Sequence, residues 1–331
     1  MSAITQSFLS ETPQLRPLNI MRDLPRVADL VETCFSDTMD AEGQRFVQQM
    51  RRAGQDNRFL HWATNAVEST SMPLSGYVWE ESGSLVGNVS LIPFRYQGRK
   101  IYLIANVAVH PDQRRRGIAR HLTEIALEHT WKRKAEATWL HVRDDNPGAI
   151  QLYKDLGFQE RARRTQWQAT PDRNLSNGNL EFDIRNRLAD QWPQQKEWLQ
   201  RLYPDELSWY QSMPWIRFRP GLLPALYRLF MEAETRTWTV SNSSRLLAAI
   251  SWLASFGRSE HLWIALPENE EERALTALLM HVRRALAGRE SLSLELPGGV
   301  AVDAMQAAGF KARRTLIWMR ADKTSGTVMR K

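Results

Sequence analysis

The chain predicts an α/β fold: a mixed, twisted sheet with flanking helices, built twice in tandem. Three observations carry this. An almost wholly apolar run, Ile101 to Val109, reads as a strand covered on both faces and leads through a sharp turn into a helix. Around it, short strand patterns alternate with amphipathic helical ones, the alternation that builds layered α/β domains. The second half then repeats the same succession of patterns. The chain has 331 residues, enough for two ordinary domains, each with a core.

In chain order, Gln14 to Asn19 is an opening strand and Asp23 to Phe35 a helix, with Pro25 tolerated in its first turn. Cys34 lies on the apolar stripe Val27, Leu30, Val31, Phe35 and reads as a core residue. Ala41 to Gln55 is a second helix, with Phe46, Val47 and Met50 inward. Gly76 to Glu80 and Leu85 to Phe94 form a hairpin around Ser82-Gly83-Ser84. Strand Ile101 to Val109 stops at Pro111 and Asp112. The helix after Gly117 carries Ile118, Leu122, Ile125 and Ala126 inward and runs to about Lys134. Trp139 to Val142 is a strand. Asn146 caps a helix with Pro147 in its first turn, Gly157 ends it, and Phe158 to Gln168 returns as the final strand or pair.

The polar, turn-forming stretch 170–180 marks a linker between domains 14–169 and 181–321, with disordered ends at 1–13 and 322–331. In the second domain, Thr237 to Val240 and Leu246 to Ala254 repeat the hairpin, with Asn242-Ser243-Ser244 at its turn. Leu262 to Leu266 repeats the central strand, and Pro267 mirrors Pro111. A stripe from Ala274 to Leu286 repeats the helix, Ser291 to Leu296 the next strand, and Val302 to Ala308 the short helix. Ala308-Gly309-Phe310 echoes Leu156-Gly157-Phe158, and both tails contain Ala-Arg-Arg-Thr, at 162–165 and 312–315. The aromatic segment between, from Gln191 to Glu234, reads first as domain core.

Composition narrows the class. A single cysteine excludes an internal disulfide framework and suits a reducing compartment. Met1 to Pro13 lacks the pattern of a secretory signal, and no apolar run approaches membrane-spanning length, so a cytoplasmic protein without membrane partners is expected. Scattered histidines give no metal-ligand spacing. A net charge of +7 permits nucleic-acid binding without indicating it, and equally favours encounter with a polyanionic small molecule.

The chemistry concentrates in Arg114-Arg115-Arg116-Gly117-Ile118-Ala119. A helix start leaves backbone N–H groups unpaired and carries partial positive charge, which suits a compact anion. Gly117 admits a phosphate to the backbone, and three guanidinium forks surround it. This loop resembles the Arg/Gln-x-x-Gly-x-Gly/Ala loop of the GNAT superfamily of acyl-CoA-dependent N-acyltransferases. The stretch Asn146 to Phe158 resembles that family's second motif, Asn-x-x-Ala-x-x-Leu-Tyr-x-x-x-Gly-Phe. The resemblance covers about residues 14–168, and the second domain looks like a degenerate GNAT copy.

The resemblance implies an N-acetyltransferase that moves an acyl group directly from acetyl-CoA to an amine, acting in the first domain while the second shapes the acceptor site. The backbone of Val107, Ala108 and Val109 would pair with the pantetheine arm and polarise the thioester carbonyl. The amides of Arg114, Arg115, Arg116, Gly117, Ile118, Ala119 and Arg120 would hold the pyrophosphate. Asn146 would contact the pantetheine, and Tyr153 would serve as general acid towards the CoA sulfur. The helices at 23–35 and 41–55 would contribute to acceptor specificity. The base stays open among Glu80, Glu81, Asn106, His110, Asp144 and Asp145.

Where the first domain has arginines, the second has Glu268-Asn269-Glu270-Glu271-Glu272-Arg273, which repels phosphate, and no tyrosine matches Tyr153. The second copy is therefore expected to bind no acyl-CoA. Two other readings stand beside the transferase: a non-catalytic acyl-CoA-binding regulator, and a tRNA-dependent aminoacyl transferase of the related tandem fold. The intact CoA loop argues against the latter. A monomer or a homodimer fits the sequence equally.

Overall fold

The structure is a computed structural model and describes residues 14–39, 41–56, 73–175, 182–221, 234–242, 245–254 and 259–323. The expected disordered start, most of the tail and part of the linker lie outside these residues, as do Ser243 and Ser244. The chain forms two compact units: Met1–Val142 with Asn146–Arg161 and Trp318–Lys331, and Arg143–Asp145 with Ala162–Ile317.

In unit 1 the strands are β1 (Gln14–Pro17), β2 (Ser75–Glu81), β3 (Ser84–Tyr96), β4 (Arg99–Val109) and β5 (Ala137–Arg143), hydrogen-bonded in that order. The first four are antiparallel, and β5 runs parallel to β4. Ser82 (φ 48°) and Gly83 (φ 74°) are both left-handed, which matches the right-handed twist of the β2–β3 hairpin.

Helices α1 (Ile20–Phe35) and α2 (Ala41–Ala53) cover one face, with Leu24, Val27, Val31, Val47 and Met50 packed against Val78 and Ala108. Helix α3 (Ile118–Lys132) covers the other. It comes so close to β3 that a Cβ on Gly87 would lie 3.0 Å from Ile118 and Leu122. Ile125 is only half-buried; Thr123 and Leu127 take its inward place.

Two expectations are corrected here. Helix α1 begins three residues earlier than the pattern suggested, because Asn19 caps it by accepting from the Met21 amide at 3.0 Å. Pro25 thus lies inside the helix. Asp23, fully buried in the first turn, accepts from Arg16 at 2.6 Å and from the Asn19 amide at 2.9 Å. Burial alone would raise its pKa; these bonds hold it below the usual carboxylate value.

Second, β6 (Gln159–Ala169) does not close the first sheet. From Ala162 it belongs to unit 2 and pairs antiparallel with β11 (Ser291–Pro297), Leu292 opposite Ala169 through Pro297 opposite Arg164. The strand beside β5 is instead β12 (Lys311–Asp322), whose end from Trp318 counts with unit 1. The last strand of each half is thus divided between the units, β6 changing unit at Ala162 and β12 at Trp318.

Unit 2 repeats the plan with β7 (Asp183–Asn186), β8 (Thr235–Asn242), β9 (Arg245–Leu253) and β10 (Ser259–Ala265). Its order is β6-β11-β10-β9-β8-β7, and β10 and β11 are its parallel pair. Helix α4 (Pro147–Asp155) belongs to unit 1, while α5 (Trp192–Leu202), α6 (Trp215–Phe218), α7 (Glu272–Ala285) and α8 (Val302–Ala307) belong to unit 2. The stripe on α7 joins Trp238, Ile250 and Phe310 in one core. In a second core, Trp198 and Phe218 pack with Trp263, so this part of the aromatic segment is interior packing; Tyr227 and Phe230 lie outside the described residues.

Candidate functional site

The centre of unit 1 is a place where two strands part. The β4–β5 ladder runs from Ile101 opposite Ala137 to Ile104 opposite Leu140, while β4 continues to Val109. On its other edge, β4 pairs Ala105 with Ser90 and Ala108 with Asn88, so Asn106 and Val107 together oppose Val89. This is a β-bulge, and Asn106 takes it in the left-handed region at φ 50°. Bulges bend a strand and increase its twist. Beyond the bulge, His110 donates to the Val86 carbonyl at 2.9 Å, and Val109 stands opposite Gly87. The Val109 amide therefore points away from β3, towards the side β5 has left.

The arginine–glycine loop follows. Arg115 (φ 65°) and Gly117 (φ 80°) are left-handed, and the first helical bond is His121 to the Gly117 carbonyl at 3.1 Å. Among the described residues, the amides of residues 115–120 meet no acceptor. Successive amides around left-handed residues form a concave nest for anions, here at the positive end of a 15-residue helix. A Cβ at position 117 would find space, since its nearest neighbours, in the His121 ring, are 3.6 Å away. The demand for glycine is therefore conformational, and the smoothness of the cradle comes with it.

The arginines are less alike than the sequence suggests. Arg116 donates to Glu81 at 2.8 Å and to Gln113, Arg114 donates to the Val109 carbonyl at 3.3 Å, and Arg120 pairs with Asp155 at 3.0 Å. Only the exposed Arg115 makes no ion pair or hydrogen bond among the described residues. The Arg120–Asp155 pair ties the start of α3 to the end of α4, joining the two sequence motifs.

Helix α4 is capped by Asn146, whose side-chain oxygen accepts from Ala149 at 3.1 Å. Asn146 is exposed, and this oxygen is already engaged. At its other end, Phe158 donates to the Tyr153 carbonyl and Gly157 to that of Lys154, both at 3.0 Å, the paired bonds of a Schellman ending. Tyr153 is buried, edge-on to Phe158 with ring centroids 6.0 Å apart. Burial pushes its pKa upward, so it is a neutral phenol at physiological pH.

Three candidate bases are engaged elsewhere. Glu80 accepts from Arg16 at 2.7 Å and from Arg22 at 3.2 Å, and the Arg16 bond holds its pKa down. Glu81 is held low by Arg116 and then by the Trp79 indole N–H. A carboxylate so paired is a poor proton acceptor near neutrality. Asp145 is likewise bonded to Arg143 at 2.5 Å and held low by it. Cys34 donates to the Val109 carbonyl at 3.2 Å, and burial raises its pKa, which keeps it a thiol.

The apolar pattern of β3 hides Asn88 and Ser90. With Asn106 they make a polar cluster inside otherwise apolar strands, and that interruption was the available signal. Among the described residues no group of acidic, histidine or cysteine side chains could hold a metal, and no helix is long and apolar enough to cross a membrane.

Residues 31–158 match the acetyltransferase (GNAT) family model. The [ribosomal protein bS18]-alanine N-acetyltransferase of Escherichia coli (strain K12) is 42% identical over 67 residues, 20% of this chain and 45% of that protein, so the chain spans about half the length of such relatives. A GCN5-related N-acetyltransferase from Sphaerobacter thermophilus shares the fold over 94% of this chain and 95% of its own, at TM-score 0.55 and 15% identity. A tandem GNAT protein from the clavulanic acid biosynthesis pathway does so over 95% and 100%, at TM-score 0.50 and 14% identity. The splayed central strand, the amide nest and the capped tyrosine helix all fall within or at the edge of the matched segment, and residues 31–158 of this chain are a domain of the acetyltransferase (GNAT) family.

Proposed function

We propose that unit 1 transfers an acetyl group from acetyl-CoA to a primary amine. The observation that carries this is the row of acceptor-free amides at residues 115–120, placed directly after a strand that has parted from its neighbour. The nest offers N–H groups and the Arg115 charge to the diphosphate. The backbone of Val107 and the Val109 amide offer strand-like hydrogen bonds to the pantetheine arm, whereas Ala108, expected to share in this, is turned to Asn88 of β3; the Val109 amide is on the side proposed for the thioester carbonyl. The exposed side-chain amide of Asn146 adds a contact to the pantetheine.

In the transfer, the amine nitrogen forms a bond to the thioester carbon and the carbon–sulfur bond breaks. The electron pair leaves on sulfur, the Tyr153 phenol, protonated at neutral pH, supplies the proton that completes the free thiol, and the proton shed by the amine nitrogen passes to water, from which the phenol is reprotonated. The relative that acts on a ribosomal-protein alanine makes peptide α-amines the first acceptors to try.

The test is thiol release from acetyl-CoA across a panel of peptides with free α-amines, small amines and lysine peptides. One thiol released per acetylated amine is the expected result. Binding of acetyl-CoA without transfer to any amine would replace the enzyme with an acyl-CoA-binding regulator; salt-sensitive RNA binding without CoA affinity would favour the tRNA-dependent reading.

A further inference from the structure

We propose that Asn88 is a positioning residue for this transfer: by holding the Asn106 carbonyl it fixes the bulge in β4, and with it the direction of the Val107–Val109 amides. The proposal rests on the acetyl-transfer reading above.

Asn88 is fully buried in the middle of β3, opposite Ala108 on one side and Val78 on the other. Its Nδ2 donates to the Asn106 carbonyl at 3.0 Å and to Ser90 Oγ at 3.3 Å, and the Asn106 side-chain amide reaches the same Ser90 oxygen at 3.5 Å. Three polar side chains thus close around one left-handed residue. Exchanging the amide oxygen and nitrogen of Asn88 would set an acceptor against the Asn106 carbonyl, so this bond decides the orientation.

The orientation has a cost. Asn88 Oδ1 is buried and meets no hydrogen-bond donor. An aliphatic residue would avoid that cost and would suit a face already lined by Val78 and Ala108. The fold itself does not require the arrangement. In unit 2, the corresponding strands β9 and β10 pair without interruption from Leu253 opposite His261 to Ala249 opposite Ala265. No residue of β10 has positive φ. A carbonyl pinned at the bulge is needed only where the following amides must point at something.

The test is isotope-edited infrared spectroscopy of acetyl-CoA carrying ¹³C at the thioester carbonyl. Bound to the wild-type protein, the labelled stretch is expected at lower frequency than in free acetyl-CoA, the mark of a polarised carbonyl. In Asn88→Ala the downshift falls by at least about half, while affinity for CoA, held through residues 115–120, stays within about threefold. A downshift unchanged in Asn88→Ala overturns the proposal and leaves the transferase reading standing, as does wild-type binding with no downshift. Wild-type protein that binds no acetyl-CoA removes both. If circular dichroism shows Asn88→Ala unfolded, Asn88→Asp keeps the shape and removes the donor, and the same loss is expected; a retained downshift overturns the proposal. Failure of both variants to fold also overturns it, because the side chain would then serve folding.

Discussion

The two units solve the same folding problem and treat the end of the central strand in opposite ways. In each, a parallel ladder stops early: at Ile104 opposite Leu140 in unit 1, and at His261 opposite Ser293 in unit 2. Beyond that point unit 1 leaves open the amides that face away from β3, that of Val109 among them. Unit 2 spends them internally: the Ile264 amide donates to the Tyr203 hydroxyl at 3.1 Å, and the Leu266 carbonyl accepts from Arg201. The helices that follow differ too. Unit 1 begins α3 with a left-handed glycine and arginines, whereas Glu271 occupies the N-cap position of α7, without a side-chain capping bond, and Glu272 opens it. Even the short helices end alike and differ in content. Phe310 donates to the Met305 carbonyl as Phe158 does to that of Tyr153, so a buried methionine stands where unit 1 has its phenol. A fold can be retained while the open edge of its central strand is filled by its own side chains.

The comparison is most sharply broken through Tyr153. Tyr153→Phe is expected to lower kcat by about 10²-fold with little change in affinity for CoA, read by thiol release once an acceptor is found. The reciprocal Met305→Tyr gains no activity. Unchanged turnover in Tyr153→Phe would remove the phenol from the mechanism.

Next in size is the plug in unit 2. Tyr203→Phe leaves the Ile264 amide without its acceptor and is expected to cost about 1–3 kcal/mol in denaturant unfolding. A neutral result would mean that water reaches this strand, and that unit 2 is more open than its packing indicates.

In the loop, Arg115→Ala is expected to weaken acetyl-CoA about tenfold, with the loss shrinking as salt rises. Arg116→Ala costs less, since Glu81 already shares its charge. Reversal of that order, measured by calorimetry, would show that the Glu81 pair does not persist with ligand.

The smallest effect belongs to His261, packed against Trp263 with ring centroids 4.6 Å apart. Burial and then the Arg164 charge pull its pKa from 6.5 down to about 4. Between those values the unfolded chain binds the extra proton, so stability is full above pH 6.5 and declines as pH falls towards 4. A His261→Gln variant should show a shallower decline in Tm over that window; an identical slope would assign the acid sensitivity elsewhere.

Much of this was legible in the sequence because it is local. Apolar periodicity marks β4, α3 and α7, and the arginine–glycine run and the Asn146–Phe158 motif mark the site. The repeat was visible for the same reason, since Gly157 and Gly309 end matching helices. Strand exchange was not legible: β6 and β12 carry the same Ala-Arg-Arg-Thr, so nothing in their sequences tells which sheet each completes. Pairing partners of strands are set by distant residues, and Thr165 and Thr315, 3.0 Å apart, meet across 150 positions. The bulge escaped because one asparagine in an apolar strand does not announce a left-handed backbone. Glu80 and Glu81 looked available because only the fold brings Arg16 and Arg116 to them.

The central claim is that one unit, and not the other, grips the diphosphate of a thioester carrier. Calorimetric titration of the full chain with acetyl-CoA tests it most directly. The account predicts one molecule bound per chain, with the heat abolished in the double variant Arg115→Glu, Gly117→Val. No heat with the wild-type chain, two molecules per chain, or undiminished binding by the double variant would contradict it.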